Sequence, residues 1–230
     1  MLFEIQDNWR RTHPGACAGV ILLQVPGNPT GADGLAPLEE ARLALEANLR
    51  EQFGGLTRAD LASLPVIQAY NQYYRRFDKS YVVQLQLESV IFKGKSIPSI
   101  SGLVEAMFMA EVKNQMLTAG HDADTLSLPV TLDSSAGGEE YNLLRGSPQV
   151  LKAGDMIMRD GGGIISSVIY GPDQRTQITP ATRRALYAVY APPGVGEGAV
   201  RAHIGDIESY VRLFSPAVEV EFSSIVRAEE

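Results

Sequence analysis

The sequence predicts an α+β fold, because helix-period stripes occupy its first half, short β-rich runs occupy its second, and no internal repeat or long linker divides it. The expected organisation is one domain over 1–230, helix-rich over 30–117 and strand-rich over 124–230. Apolar residues make up 45% of the 230, enough to fill one core of ordinary composition.

The first expected element is a buried strand, "GVILLQV" over Gly19 to Val25, stopped by Pro26-Gly27 and followed by a connection rich in Gly and Pro. Leu38, Ala41, Leu45 and Leu49 then recur at helical spacing, with Asp33 as a nearby cap and Gly54-Gly55 as the stop. Thr57 and Asp60 stand at capping-box spacing, and Pro65 splits this part of the chain into two short helices. Lys79 to Phe92 reads as a helix and "KGKSIPSIS" as a loop. Gly102 to Leu117 reads as a further helix whose Met107 and Met116 are core filler. The strand-like runs are "TLSLPVTLD", "GDMIMRD", "IISSVIY", "ALYAVYA" and "AVEVEFSSIV", and a helix over about Val200 to Phe214 precedes the last. In that last run Val218, Val220 and Phe222 alternate with Glu219, Glu221 and Ser223, as a strand with one wet face should.

Composition excludes several function classes. A formal charge of −7 repels a phosphate backbone, so nucleic-acid binding needs a local basic patch, and no DNA partner is expected. One cysteine, Cys17, can neither close an internal disulfide nor build a zinc cluster. The longest early apolar stretch is too short, and has the wrong flanks, for a signal peptide or membrane span. The expectation is a soluble, cytoplasmic protein with no cofactor and no membrane partner.

Candidate chemistry is sparse. "TAGHDADTL" over 118–126 gathers His121 with Asp122 and Asp124, but His13, His121 and His203 show no i, i+4 pairing, so no metal site is expected. The run reads as a turn at Gly120, with both aspartates accepting backbone N–H groups. Gly194, Gly196 and Ala199 match a dinucleotide fingerprint, yet too little chain remains beyond them to complete such a sheet, so a flexible turn is expected. Asp160-Gly161-Gly162-Gly163 reads as a hairpin loop. Basic pairs at Arg75-Arg76 and at Lys93 with Lys95 are the candidate RNA contacts, the first interleaved with Tyr73, Tyr74 and Phe77.

Taken together, "DKSYVVQLQLESVIFKGKSIPSISGLVEAMF", "AGHDADTL", "LKAGDMIMRD" and "YGPDQRTQITPATRRALY" resemble the tRNA-binding and editing domain of the phenylalanyl-tRNA synthetase beta subunit, the B-three/B-four domain. The likeness is to its free-standing, single-domain relatives and runs from about residue 60 to the C-terminus. It implies a three-layer α+β fold with an unusual β-sandwich core and flanking helices. In the synthetase this domain hydrolyses tyrosine wrongly esterified to tRNA.

The resemblance also implies a pocket, with departures. The synthetase pattern has Val-Val-Asp with an Asn three residues on, where this chain has Leu103-Val104-Glu105 and Phe108. It has His-Ala-Phe-Asp-Leu-Asp where this chain has Ala119 through Asp124, so His121 stands in the Phe place and Ala119 in the His place. Its Gly-Gly-Glu becomes Gly171-Pro172-Asp173, which keeps a carboxylate. Implied substrate-binding positions are Asp173, Glu105, Phe108 and Ala119, and His121 is the candidate general base. Two functions stand as expectations: recognition of an aminoacyl group or aminoacyl-tRNA, with hydrolysis of the ester by a positioned water, or non-catalytic binding of an amino-acid-like small molecule or a protein partner.

Overall fold

The structure, a computed structural model, describes residues 2–229. The chain starts with β1 (Phe3–Ile5), α1 (Asp7–Thr12) and β2 (Cys17–Gln24), then runs through α2 (Ala32–Phe53), α3 (Arg58–Ala62), α4 (Pro65–Arg75), α5 (Val82–Lys93) and α6 (Gly102–Asn114). Strands β3 (Thr118–Asp122), β4 (Val130–Ser134), β5 (Glu140–Asn142), β6 (Pro148–Val150), β7 (Met156–Asp160), β8 (Gly163–Ser167), β9 (Gly171–Pro172) and β10 (Arg184–Ala191) come next. Helix α7 (Glu197–Phe214) and β11 (Glu219–Arg227) close it.

Two sheets carry the architecture. One has the order β11-β2-β10-β3 and is antiparallel; the other has the order β1-β4-β7-β8-β9, where the β1–β4 pair is parallel. A β5–β6 hairpin stands apart. Strand β2 is buried at all but its last residue, which explains why it reads as an unbroken apolar run: helices cover one face and the second sheet covers the other. The alternation of β10 shows the same division. Tyr187 donates its hydroxyl to the Leu103 carbonyl of α6, whereas Tyr190 meets the Ser166 hydroxyl of β8. The result is three layers: helices, a four-stranded sheet and a five-stranded sheet. This is the mixed α+β architecture with several sheets and flanking helices expected from the sequence.

Close approach of layers is set by small residues. Gly19 of β2 faces α7, where a Cβ would stand 2.6 Å from both Ile204 Cδ1 and Val200 Cγ1. Gly102, at the first turn of α6, leaves room for the Phe214 ring. The start of α6 is fixed from a distant loop, since Asn28 accepts from Leu103 N–H and donates to Ser101 Oγ and the Thr179 carbonyl.

Several local expectations hold. Thr57 and Asp60 form a reciprocal capping box, and Pro65 opens α4 at a position where its missing N–H costs nothing. Others are corrected. Helix α2 begins at Ala32 with Gly31 as its cap, so Asp33 lies inside the first turn, where it favours the helix dipole instead. Residues 118–122 are a strand, not a turn: Gly120 lies against Ile178, Met107 and Tyr187, a space that a side chain would fill. The turn comes after it, where Asp122 accepts from Asp124 N–H, while Asp124 itself pairs with Arg184. The alternation of β11 is broken by a register shift between Val220 and Phe222, which leaves Val220 exposed. Among the described residues, no helix is long and apolar enough to cross a membrane.

Candidate functional site

The β7–β8 hairpin, β9 and the β5–β6 hairpin enclose a cleft of about 400 Å3 whose lining includes Tyr141, Asn142, Gly162, Gly163, Asp173 and Arg175. Asp173 is held there by its backbone: its N–H donates to Ile165 O, and the next residue, Gln174, donates to Asn142 O. Tyr141 fixes the far wall by donating its hydroxyl to the Gly171 carbonyl.

The Asp173 carboxylate has two unlike oxygens. Oδ1 accepts from Thr176 N–H at 3.1 Å and from the Thr176 hydroxyl. Oδ2 lies 3.7 Å from Arg175 Nε, beyond hydrogen-bond distance, so it keeps acceptor capacity at the cleft. Arg175 is committed elsewhere, forking onto both oxygens of Asp160 at 2.7 and 3.0 Å and donating to the Thr125 carbonyl. Burial raises the pKa of Asp173, and the Thr176 bonds and Arg175 offset only part of that. Burial works on Asp160 in the same sense, but the Arg175 fork with the Ser127 and Gly162 N–H groups holds it below the usual carboxylate value.

Behind Asp173 sits His121. Its Nδ1 is 2.7 Å from Thr176 Oγ1, and because that hydroxyl donates to Asp173, its oxygen accepts from Nδ1–H. The chain His121–Thr176–Asp173 therefore fixes the tautomer and leaves a lone pair on Nε2, which is buried without a hydrogen-bond partner. His121 is 0% exposed, and burial drives its pKa down to about 3, so the ring is neutral across the working pH range.

The other candidate residues are not brought to this cleft. His121 itself does not line it and acts on it through Thr176, so the general-base role requires access that its burial denies. Glu105 is fully buried under α2, paired with Arg42 Nε at 3.0 Å and accepting from Ser99 Oγ at 2.5 Å. Phe108 packs against the core, and Ala119 pairs with Ala188 inside the four-stranded sheet. The basic pairs part company too. Arg75 and Arg76 end α4, whereas Lys93 is the last residue of α5 and Lys95 follows its Gly94 cap, at the opposite end of that 12-residue helix from Val82, where the chain enters it from α4.

Residues that no sequence motif singles out gather near Arg76. Arg76 lies over the Tyr73 and Phe77 rings, Lys79 lies over Tyr170, and Lys152 donates to the Phe77 carbonyl. Tyr170 precedes Gly171, which the cleft residue Tyr141 holds, so this basic surface borders the cleft wall. Thr176 is likewise absent from the sequence-based candidates; its spacing of three from Asp173 is the signal that would have found it. Among the described residues, no three of His, Cys, Asp and Glu converge as a metal site would require.

No family model matches the chain, and no curated protein matches it. Among solved structures it is similar to an N-terminal fragment of the phenylalanyl-tRNA synthetase beta-subunit from Pyrococcus horikoshii, with a TM-score of 0.50 and 8% sequence identity. The match covers 97% of this chain and 53% of that one, so the chain spans about half the length of the fragment it resembles. At this identity the likeness is one of architecture: the chain has a fold related to part of a phenylalanyl-tRNA synthetase beta-subunit.

Proposed function

We propose that residues 1–230 act as one free-standing module of the synthetase-editing type, which recognises the aminoacyl group of an aminoacyl-tRNA in the cytoplasm. The observation that carries this reading is Asp173: a carboxylate at the cleft, oriented through Oδ1 by Thr176, with Oδ2 left to accept from a ligand ammonium or phenol hydroxyl. The basic surface of Arg75, Arg76, Lys79 and Lys152 supplies a local route for a phosphate backbone against the overall charge of −7. In this reading His121 positions Thr176, Thr176 orients Asp173 toward the ligand, and ester cleavage relies on a water held in the cleft.

A second reading, non-catalytic binding of an amino-acid-like small molecule, is favoured by the burial of the chain's one candidate histidine base at the site. The two are separated by incubating the protein with mischarged tRNAs. The first reading expects deacylation above buffer and salt-sensitive tRNA retention, both lost in Arg76→Glu, with deacylation lost in Asp173→Asn. No deacylation and no retention would sink it. Thermal stabilisation by free amino acids, abolished in Asp173→Asn, would then favour the second.

A further inference from the structure

A second cleft, of about 310 Å3, opens between α5, α6 and the loop over 95–98, and it shares no residue with the Asp173 cleft. Val90, Ile97 and Val112 lie in it at no more than 3% exposure and form its floor, while Leu85 and Pro98 complete an apolar lining that is wholly aliphatic.

The shape is fixed by backbone bonds. Gly94 caps α5 in the left-handed conformation, Lys95 N–H then donates to the Ser89 carbonyl at 3.0 Å, and Ile97 N–H donates to Glu46 Oε1 at 2.9 Å. The loop is thereby tied to both α5 and α2, so the cleft exists without a ligand to shape it. Leu85 and Ser89 stand four residues apart on one face of α5, and the Ser89 hydroxyl donates back to the Leu85 carbonyl at 2.9 Å. A short side chain turned onto its own helix leaves the space beside it open.

The rim has the opposite character to the floor. Lys95 lines the cleft, and among the described residues its ammonium has neither a hydrogen bond nor an ion pair. Glu46, the carboxylate that reaches the loop, is already held by Arg42 at 3.4 Å and Arg50 at 3.2 Å. The Gln86 amide and Ser96 hydroxyl also lack partners among the described residues, and no carboxylate lines the cleft. Donors therefore outnumber acceptors at its mouth.

We propose that this cleft binds a small aliphatic monocarboxylate, a medium-chain acid whose tail lies on Val90, Ile97 and Val112 and whose carboxylate meets Lys95. Charge complementarity selects the head group, because an anion is what an unpaired ammonium and two spare donors accommodate. The floor selects the tail: it offers no aromatic ring for stacking and no polar partner for a second charge, so aryl acids and dicarboxylates fit it worse. A volume near the lower end of the usual range of about 300–1,000 Å3 limits the tail to a short one. This site requires neither Asp173 nor RNA, and it stands whether or not the aminoacyl reading does.

Calorimetric titration of the full chain with octanoate, octan-1-ol and octylamine tests the proposal. Octanoate should bind saturably and one to one, more weakly as salt rises, and about tenfold or more tighter than either other compound. Lys95→Glu should weaken octanoate by about tenfold or more and leave octan-1-ol unchanged. Ser89→Phe places a ring in the cleft at a position whose hydroxyl bonds only within its own helix; it should keep the circular dichroism of the wild type and bind none of the three. Absence of octanoate binding, equal affinity for octanoate and octan-1-ol, or octanoate binding that survives both substitutions overturns the proposal. So does a wild-type chain that self-associates and becomes monomeric in Ser89→Phe, which would assign the cleft to a second copy.

Discussion

Glu111 of α6 is a carboxyl group sealed in the interior, 3% exposed, whose Oε1 accepts from Thr118 N–H at 2.7 Å. Burial raises its pKa from the usual 4.5 to about 8, and the Thr118 bond offsets only part of that. Because the folded value lies above the unfolded one, the group's contribution to stability is fully present below pH 4.5. It is lost as pH rises through about 8. The interval corresponds to about 5 kcal/mol at about 1.4 kcal/mol per pH unit, and about 4 kcal/mol of it falls between pH 5 and 9. Glu111→Gln keeps an acceptor for Thr118 N–H and never ionises. The variant should therefore match the wild type to within about 1 kcal/mol at pH 5 and exceed it by several kcal/mol at pH 9. Urea unfolding of both proteins across that range measures the difference directly. His13, His121 and His203, held by burial near 4, 3 and 4, contribute in the opposite sense: their stability is present above 6.5 and lost as pH falls toward those values. The histidines are common to both proteins, so they cancel in the comparison. Parallel stability curves from pH 5 to 9 would refute the reasoning, because they would mean that Glu111 titrates alike in both states.

Thr176→Val preserves shape but strands the Nδ1–H of His121 and removes one of the bonds to Asp173, so a loss of about 2–3 kcal/mol in urea unfolding is expected, with weaker ligand binding at the cleft. A variant within about 0.5 kcal/mol of wild type would show that the chain of bonds does not hold the site together. Gly19→Ala drives a methyl group into Ile204 and Val200 and should cost about 1–3 kcal/mol in the same assay. Combining it with Ile204→Val, which deletes one of the two clashing methyls, should recover part of the loss.

Legibility in the sequence tracked how local the determining contacts are. The capping box at Thr57, Pro65 at a helix start, the Leu38–Leu49 stripe and the apolar run of β2 are decided within a few residues, and they could be read directly. Strand β3 could not. Ala119, Gly120 and His121 have little intrinsic preference for a strand; they form one because β10 offers a partner and Gly120 alone fits beneath Ile178 and Met107. The two small hairpin strands β5 and β6, and β1, whose partner β4 begins at Val130, escape sequence reasoning for the same reason. In the cleft, the family resemblance points to Asp173, whereas Tyr141, Asn142, Arg175 and Thr176 come to it by long-range or loop geometry that no periodicity reports. Glu105 stands out by motif position, yet Arg42, 63 residues away, already neutralises it in the core.

The placement of β2 at the middle of its sheet has a consequence for the chain as it is made. Its neighbours are β10 and β11, and the first residue of β10, Arg184, lies 160 residues after Gln24, the end of β2 (184 − 24 = 160). At about 5–20 residues per second, translation leaves the most apolar strand of the molecule without either partner for roughly 10–30 s. During that interval the helices drawn from 32–114 can begin to cover one face of β2, but its hydrogen-bonding edges stay open. The growing polypeptide thus carries an apolar segment in front of the strands that will eventually pair with it, so its order of synthesis exposes that segment to aggregation before its sheet can close.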